Sequence, residues 1–314
     1  MAQPLLSIGM IVKNEIRCLE RCFQSLQPLR NAIPCELVVA DTGSTDGSRE
    51  LAERYADLVF DFPWVNDFAA ARNAVMDRCS GHWYLSIDAD EFLDSYIDEL
   101  VGFLTGETGR QADVATLVIR NYLAPDMDDD SSSFAAVRLL RMATGKRYAG
   151  TIHESWKLNA DTRLYHLPHT LLHHDGYAYT DQKSAAEKSL RNLTLLEPEL
   201  EKDPHSGMRM LQCMESAAAN PEKATEFARR GMQMVKDRNC ASWEFVSPAL
   251  VRTAIRMATR YHMPEQKEWL DWCAAHFQYA VKANPYTEID VSYDRLLYHY
   301  GMHNYKAAEE AARA

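Results

Sequence analysis

Short apolar runs alternate with helix-length segments along the first part of the chain, and this alternation constrains the fold more than any other feature. Leu5–Val12 is apolar, rich in β-branched residues and short enough for a buried strand. Glu36–Ala40, Leu58–Phe60 and Trp83–Ile87 read the same way. Between them, Glu15–Leu29 carries Ile16, Leu19, Cys22, Phe23 and Leu26 on one side of a helix, with Pro28 and Pro34 bracketing the turn that follows. Ser48–Ala56 and Asp67–Cys79 are also helical. Strands alternating with helices of this length predict an α/β domain with a mostly parallel sheet. Such sheets bind ligands beyond the carboxyl ends of their strands, and Asp41 and Asp88 both lie just past such ends.

The pattern then changes. Ala112–Asn121, Ala136–Met142 and Thr162–His174 read as strands without long helices between them, which predicts a more antiparallel second half. Asp126–Ser133 reads as a polar acidic loop and a candidate mobile segment. From about Ser184 onward the spacing is helical: Lys188–Leu200, Ser206–Ala219, Pro221–Lys236, Phe245–Tyr261, Glu265–Ala283 and Tyr305–Arg313. Two domains are expected, 1–183 and 184–314. The stretches Glu222–Ala228 and Tyr305–Ala311 resemble the second helix of a tetratricopeptide repeat, with small Ala at helix contacts. A plain helical bundle explains the region equally well.

Forty-five acids against 34 bases leave a net charge of −11, so no specific nucleic-acid partner is expected. The seven cysteines are scattered and form no CxxC pair, as expected of reduced thiols. Cys18 and Cys22 share a helix face, which reads as core packing. No basic leader precedes Lys13 and no run approaches the ~20 apolar residues of a membrane span. A cytoplasmic protein is expected, with a peripheral membrane contact left open.

The chemistry concentrates in four motifs. Asp88-Ala89-Asp90 follows a buried strand, and two carboxylates there suit a hard divalent cation that bridges a diphosphate to protein. Ahead of it come Ile8–Glu15, then Val38–Gly47 with its Asp41-Thr42-Gly43-Ser44-Thr45-Asp46-Gly47 loop, then Asp67–Asn73. In this order and spacing the series resembles the family 2 glycosyltransferases, which have the GT-A fold. The likeness covers about the first 95 residues closely and reaches to about Tyr177. It is nearest to a subgroup with a helical C-terminal extension, similar to lipopolysaccharide-core glucosyltransferases and peptide S-glycosyltransferases.

The resemblance implies a nucleotide-sugar donor, UDP-linked by preference, and Mn2+ or Mg2+. It assigns Asp41 to the nucleotide base, with Ser44 and Asp46 completing that loop, though Asp46 also suits a helix N-cap. It places Arg72 near the diphosphate or the first carboxylate, where a structural salt bridge is the competing reading. It gives Asp88, with Ala89, to the ribose or metal, Asp90 to the metal directly, and Glu91 to a supporting position.

Gly150-Thr151-Ile152-His153-Glu154 comes later. Lys157 occupies the place where H-E-x-x-H needs its second histidine, so this is not a zinc-protease motif. An inverting transfer needs a base for the acceptor proton; Glu154 is the first candidate, His153 the second, and a surface turn the alternative. His173-His174-Asp175-Gly176-Tyr177 resembles the subgroup's histidine-glycine-tyrosine element, whose His can complete the metal shell. Strand alternation lets only one of the two histidines face the site, with His174 preferred and a core histidine as the competing reading.

No P-loop, G-x-G-x-x-G or G-x-S-x-G motif is present. The expected activity is metal-dependent inverting transfer to a saccharide, a lipid-linked saccharide or a peptide. The helical region is left to shape the acceptor site or to meet a protein partner. A nucleotide-sugar-binding module without transfer activity is the alternative, and a nucleotidyltransferase is disfavoured because Val12–Glu15 is not a glycine-rich basic loop.

Overall fold

β1 (Leu6–Val12) is apolar on both sides because it lies inside the sheet, paired in parallel with β2 (Cys35–Asp41) and with β4 (Trp83–Ser86). β3 (Leu58–Asp61) extends the parallel ladder beyond β2. The computed structural model of the chain describes residues 3–122, 131–176 and 182–276. Beyond β4 the ladder turns mixed. β7 (Ser131–Arg141) is antiparallel to β4 and to β6 (Val114–Tyr122). β10 (Leu164–His174) runs parallel to β6 and antiparallel to β5 (Glu91–Leu93). The order among the described residues is β3-β2-β1-β4-β7-β6-β10-β5, with β8 (Tyr148–Ala149) and β9 (Ser155–Trp156) as a separate small ribbon.

Helices cover the two faces. α1 (Ile16–Ala32), α2 (Ser48–Tyr55) and α4 (Asp98–Thr105) bury Leu19, Phe23, Leu26, Leu51, Leu100 and Phe103 against one face. α3 (Phe68–Met76) packs on the other with Tyr84, Tyr148 and Trp156. α5 (Glu107–Gln111) leads into β6. Cys18 and Cys22 are buried and unbridged on the inner side of α1.

Two expectations need correction, and one strand was not foreseen. Pro28 does not end the first helix but lies inside it. Buried Leu26 and Leu29 anchor the helix on both sides of the proline, and Ile33 N closes it on Leu29 O at 3.2 Å. Ser131–Ser133, expected in a loop, belong to β7, where Ser131 stands opposite Tyr122; residues 123–130 lie outside the described residues. β5 is too short, three residues, to show as a run of its own in the sequence. Pro168 interrupts β10: it has no N–H for the ladder, and the register with β6 shifts between Leu167 and Leu171. Glu99 of α4 accepts from His169 N at 3.0 Å and Thr170 Oγ1 at 2.7 Å there.

The chain divides into two units, Met1–Thr180 and Asp181–Ala314. The second contains α6 (Gln182–Lys202), α7 (Gly207–Ala217), α8 (Pro221–Lys236), α9 (Trp243–Arg260) and α10 (Gln266–His276). α7 and α8 approach closely, since a Cβ on Gly231 would meet Met214 Sδ at 2.6 Å. Ala224 and Ala228 lie on the same buried side of α8 as Phe227. The second repeat-like stretch, Tyr305–Ala311, lies outside the described residues. Among the described residues no helix is long and apolar enough to cross a membrane.

Candidate active site

The loop after β2 is knotted by its own side chains. The Asp41 carboxylate accepts from Gly43 N and Ser44 N, each at 3.0 Å, and the residue is almost wholly buried. Ser44 Oγ accepts from Asn14 N at 3.0 Å, and Asn14 Oδ1 accepts from Thr45 N at 2.8 Å. Asp46 reaches two helix starts: Oδ2 accepts from Ile16 N at 3.1 Å and Oδ1 from Ser48 N at 3.0 Å. Gly47, at φ 96°, is the residue immediately before α2, so Asp46 supports that N-terminus from one place further back. The loop after β1 and the loop after β2 are thus one hydrogen-bonded unit at the carboxyl end of the sheet.

Asp67 caps α3 by accepting from Ala70 N at 2.8 Å, and this sets the helix that presents Arg72. Arg72 is buried and has three partners. Its Nη2 donates to Asp88 Oδ1 at 2.6 Å, its Nη1 to Ser86 Oγ at 3.2 Å, and its Nε to Glu154 Oε1. Arg138 on β7 reaches Asp88 Oδ2 from the other side at 3.5 Å and also donates to Glu91. Burial alone would raise the Asp88 carboxyl, but the Arg72 and Arg138 guanidiniums outweigh it and hold the group well below the usual carboxylate range. Glu91 is almost wholly buried, and its Oε2 accepts from Asp88 N at 2.9 Å. Burial pushes Glu91 upward, with Asp88 and Asp90 acting in the same direction against Arg138. Ala89 is buried in the hydrophobic core, so its side chain is not presented to a ligand.

The two histidines separate as strand alternation requires. His173 turns to Tyr122 Oη at 2.7 Å and Asp94 Oδ2 at 3.0 Å, stacked on Phe92, and does not meet Asp90. His174 Nε2 lies 3.1 Å from Asp90 Oδ2. His174 Nδ1 lies 2.7 Å from Asn121 Oδ1, which only accepts, so Nδ1 carries the proton. In the neutral ring, Nε2 then turns a lone pair toward a carboxylate oxygen, and the contact needs a proton or a cation. Burial opposes the imidazolium, but Asp90, Glu91 and Asp88 outweigh it and raise the His174 pKa.

Two ligand atoms at ~2.1 Å from one cation and at right angles stand ~3.0 Å apart, so the Asp90–His174 pair fits a divalent ion. The second ring nitrogen is oriented by Asn121, as metal-ligating histidines usually are. Among the described residues no three His, Cys, Asp or Glu side chains form a complete cage. Phosphate oxygens and water would have to supply the other positions, as is usual for cations shared with a diphosphate.

Glu154 and His153 differ in setting. His153 is exposed on a left-handed backbone, φ 51°. Glu154 is half-buried and lines a cavity of about 420 Å³ with Arg72, Arg138, Tyr148, Trp156 and Leu158. The cavity thus opens on the same Arg72 that holds Asp88.

Residues 7–152 match the glycosyl transferase family 2 model. The chain contains a family 2 glycosyltransferase domain. Its α/β sheet is of the GT-A class, followed by a helical region. The TPR repeat-containing protein Synpcc7942_0270 of Synechococcus elongatus is 39% identical over 29% of this chain and 22% of its own length. The SPbeta prophage-derived glycosyltransferase SunS of Bacillus subtilis is 25% identical over 65% of this chain and 47% of its own. The chain therefore spans under half of either relative. Among solved structures, the mannosyltransferase PcManGT of Pyrobaculum calidifontis, in complex with GDP-Man and Mn2+, is similar over 97% of this chain and 88% of that one. The identity there is 14% and the TM-score 0.46.

The structure adds Arg138 and Asn121, which the motifs did not single out, and gives Gly176 of the last motif a steric role. Arg138 sits in a strand whose alternation gives no hint of a buried cation. Gly176 packs on the Asp90–His174 pair: a Cβ there would fall 2.2 Å from Asp90 Oδ2 and 2.8 Å from His174 Nε2. Asn121 was passed over because an amide at a strand end carries no chemical signature of its own.

Proposed function

We propose that the family 2 domain transfers a sugar from a nucleotide diphosphate-sugar, a UDP-sugar by preference, to an acceptor hydroxyl with inversion. The observation that carries this reading is the Arg72 bridge, which joins Asp88 to Glu154, a residue that lines the 420 Å³ cavity together with Arg72. Asp41, in the loop beyond β2, is assigned to the nucleotide base. Ser44 and Asp46 serve by fixing that loop, since their oxygens are engaged with backbone N–H groups. Asp88 is held for the donor by Arg72 and Arg138, and Asp90 with His174 holds a divalent cation, Mn2+ or Mg2+. When bound, that cation neutralises the departing diphosphate as a Lewis acid.

Glu154 is the general base. Arg72 fixes its Oε1, and Oε2 accepts the acceptor proton. The acceptor oxygen forms its bond to the anomeric carbon as the bond to the diphosphate breaks, and that electron pair leaves with the diphosphate. The base contributes about 10²–10⁴-fold. The acceptor is a saccharide, a lipid-linked saccharide or a peptide, and the chain operates as a catalytic domain, 1–183, with a helical domain, 184–314.

A screen of nucleotide-sugars with Mn2+ or Mg2+ tests this, read as slow donor hydrolysis without acceptor. Hydrolysis of one donor, lost in excess chelator and in Asp90→Ala, is the expected result. Undiminished hydrolysis in Asp90→Ala would sink the assignment of the cation.

A further inference from the structure

A carboxylate with no role in the chemistry above is the most deeply buried charge at the site. Asp175 has no solvent exposure, yet it lies between His174 and Gly176, the two residues packed on Asp90. Burying a carboxylate is costly unless it is paired. Here α1 supplies two arginines one helical turn apart. Arg21 Nη2 bonds Asp175 Oδ2, and Arg17 Nη2 lies 3.6 Å from Oδ1. The Arg21 guanidinium also lies 4.2 Å above the Phe92 ring, and Phe92 stacks on His173 at 4.9 Å. Asp175 N donates to Asp90 O at 3.4 Å. α1, β5 and the end of β10 are therefore tied together around Asp90 and His174. The core does not require the charge, because α1 is already anchored by Leu19, Phe23 and Leu26.

We propose that Arg17, Arg21 and Asp175 form a clamp that sets the spacing of Asp90 and His174 for the cation. Asp175 and Arg21 are positioning residues and touch neither donor nor acceptor. The clamp holds the turn after β10 against α1, so that Gly176 presses on the pair and His174 Nε2 stays at ligand spacing from Asp90. The inference rests on the reading of Asp90 and His174 as cation ligands.

The test is Mn2+ binding itself, measured on the full chain by electron paramagnetic resonance of free Mn2+ in the presence of UDP. Melting temperature is followed in parallel. Asp175→Asn and Arg21→Met are expected to weaken Mn2+ binding about 10-fold, the lower end of the range for partners that orient metal ligands. Arg21→Lys keeps the charge and is expected to recover most of the affinity. Arg21→Met is the decisive variant. Removing a cation beside a metal site favours Mn2+ by simple electrostatics, so weaker binding there is a sign that only positioning gives. If Asp175→Asn does not fold, the half-exposed Arg17 and Arg21 carry the test through Arg17→Met and Arg21→Met. Unchanged or tighter Mn2+ binding in folded Arg21→Met overturns the clamp. Equal Mn2+ binding by the parent and Asp90→Ala overturns the ligand assignment instead, which keeps the two failures apart.

Discussion

Arg72 is the most constrained side chain of the site, a buried cation shared by two carboxylates and a serine. Removing one partner of a buried ion pair leaves the other charged and desolvated. Glu154 would be left without its arginine in a mostly buried setting, while Asp88 is partly exposed and keeps Arg138, so Arg72→Met is expected to cost about 3 kcal/mol in urea denaturation, the lower end for a buried pair. A cost below ~1 kcal/mol would mean that water reaches Asp88 and Glu154 and screens the pair. Arg72, Asp88 and Asp90 stood out in the sequence through their motifs, Asp67–Asn73 and the carboxylate pair that follows the apolar run Trp83–Ile87. The link between Arg72 and Glu154 was not legible, since it joins a helix to a loop far along the chain. Arg138 was hidden for a different reason. It lies just beyond the residues of β7 that pair with β4, where the register between β6 and β7 shifts, and only the assembled sheet shows that its neighbours are Asp88 and Glu91.

At the scale of elements, the mixed half of the sheet is closed at one end by Asp113. It accepts from Arg163, just before β10, at 2.7 Å and from Arg141, the last residue of β7, at 2.6 Å. Asp113 itself precedes β6, so one carboxylate ties three strands. Its side-chain hydrogen bond to Arg163 is the largest effect and burial opposes it, but with the further bonds to Arg141 and to Arg163 N the pKa is held well below the usual range. A depressed carboxylate contributes stability above its unfolded pKa of ~3.9 and loses it as the pH falls through the folded value. Asp113→Asn is thus expected to cost about 1 kcal/mol near neutrality, the upper end for pairs open to solvent. The gap to the parent should narrow below about pH 4. A gap of the same size at both ends of that range would show that shape, not charge, makes the contribution. The alternation of strands and helices through β4 was legible because each strand is apolar and each helix has one apolar side. Pro28 misled because packing on both sides of a proline overrides its tendency to end a helix. β5 escaped because three residues give no period to read.

At the scale of the molecule, the donor chemistry proposed above draws only on residues before Asp175 and leaves the helical region without a task in it. The helices α7, α8 and α9 pack through small residues, with Ala224, Ala228, Gly231 and Ala254 all buried. Among the described residues of this unit two large apolar side chains nevertheless face water, Leu190 on α6 and Met208 on α7, at 63% and 52% exposure. Single exposed apolar residues are ordinary, so only function can tell whether these two matter. Stacked helices commonly offer extended binding surfaces, and the region is expected to select the acceptor or a protein partner and not the donor. The double variant Leu190→Glu with Met208→Glu tests this with three measurements: melting temperature, donor hydrolysis, and incorporation of labelled sugar into a crude cell extract. Melting and hydrolysis should stay within error of the parent, because both side chains already face solvent. Incorporation should fall several-fold. If all three fall together, the helices support the fold and the idea is wrong. If incorporation stays at the parental level, these side chains take no part in acceptor choice.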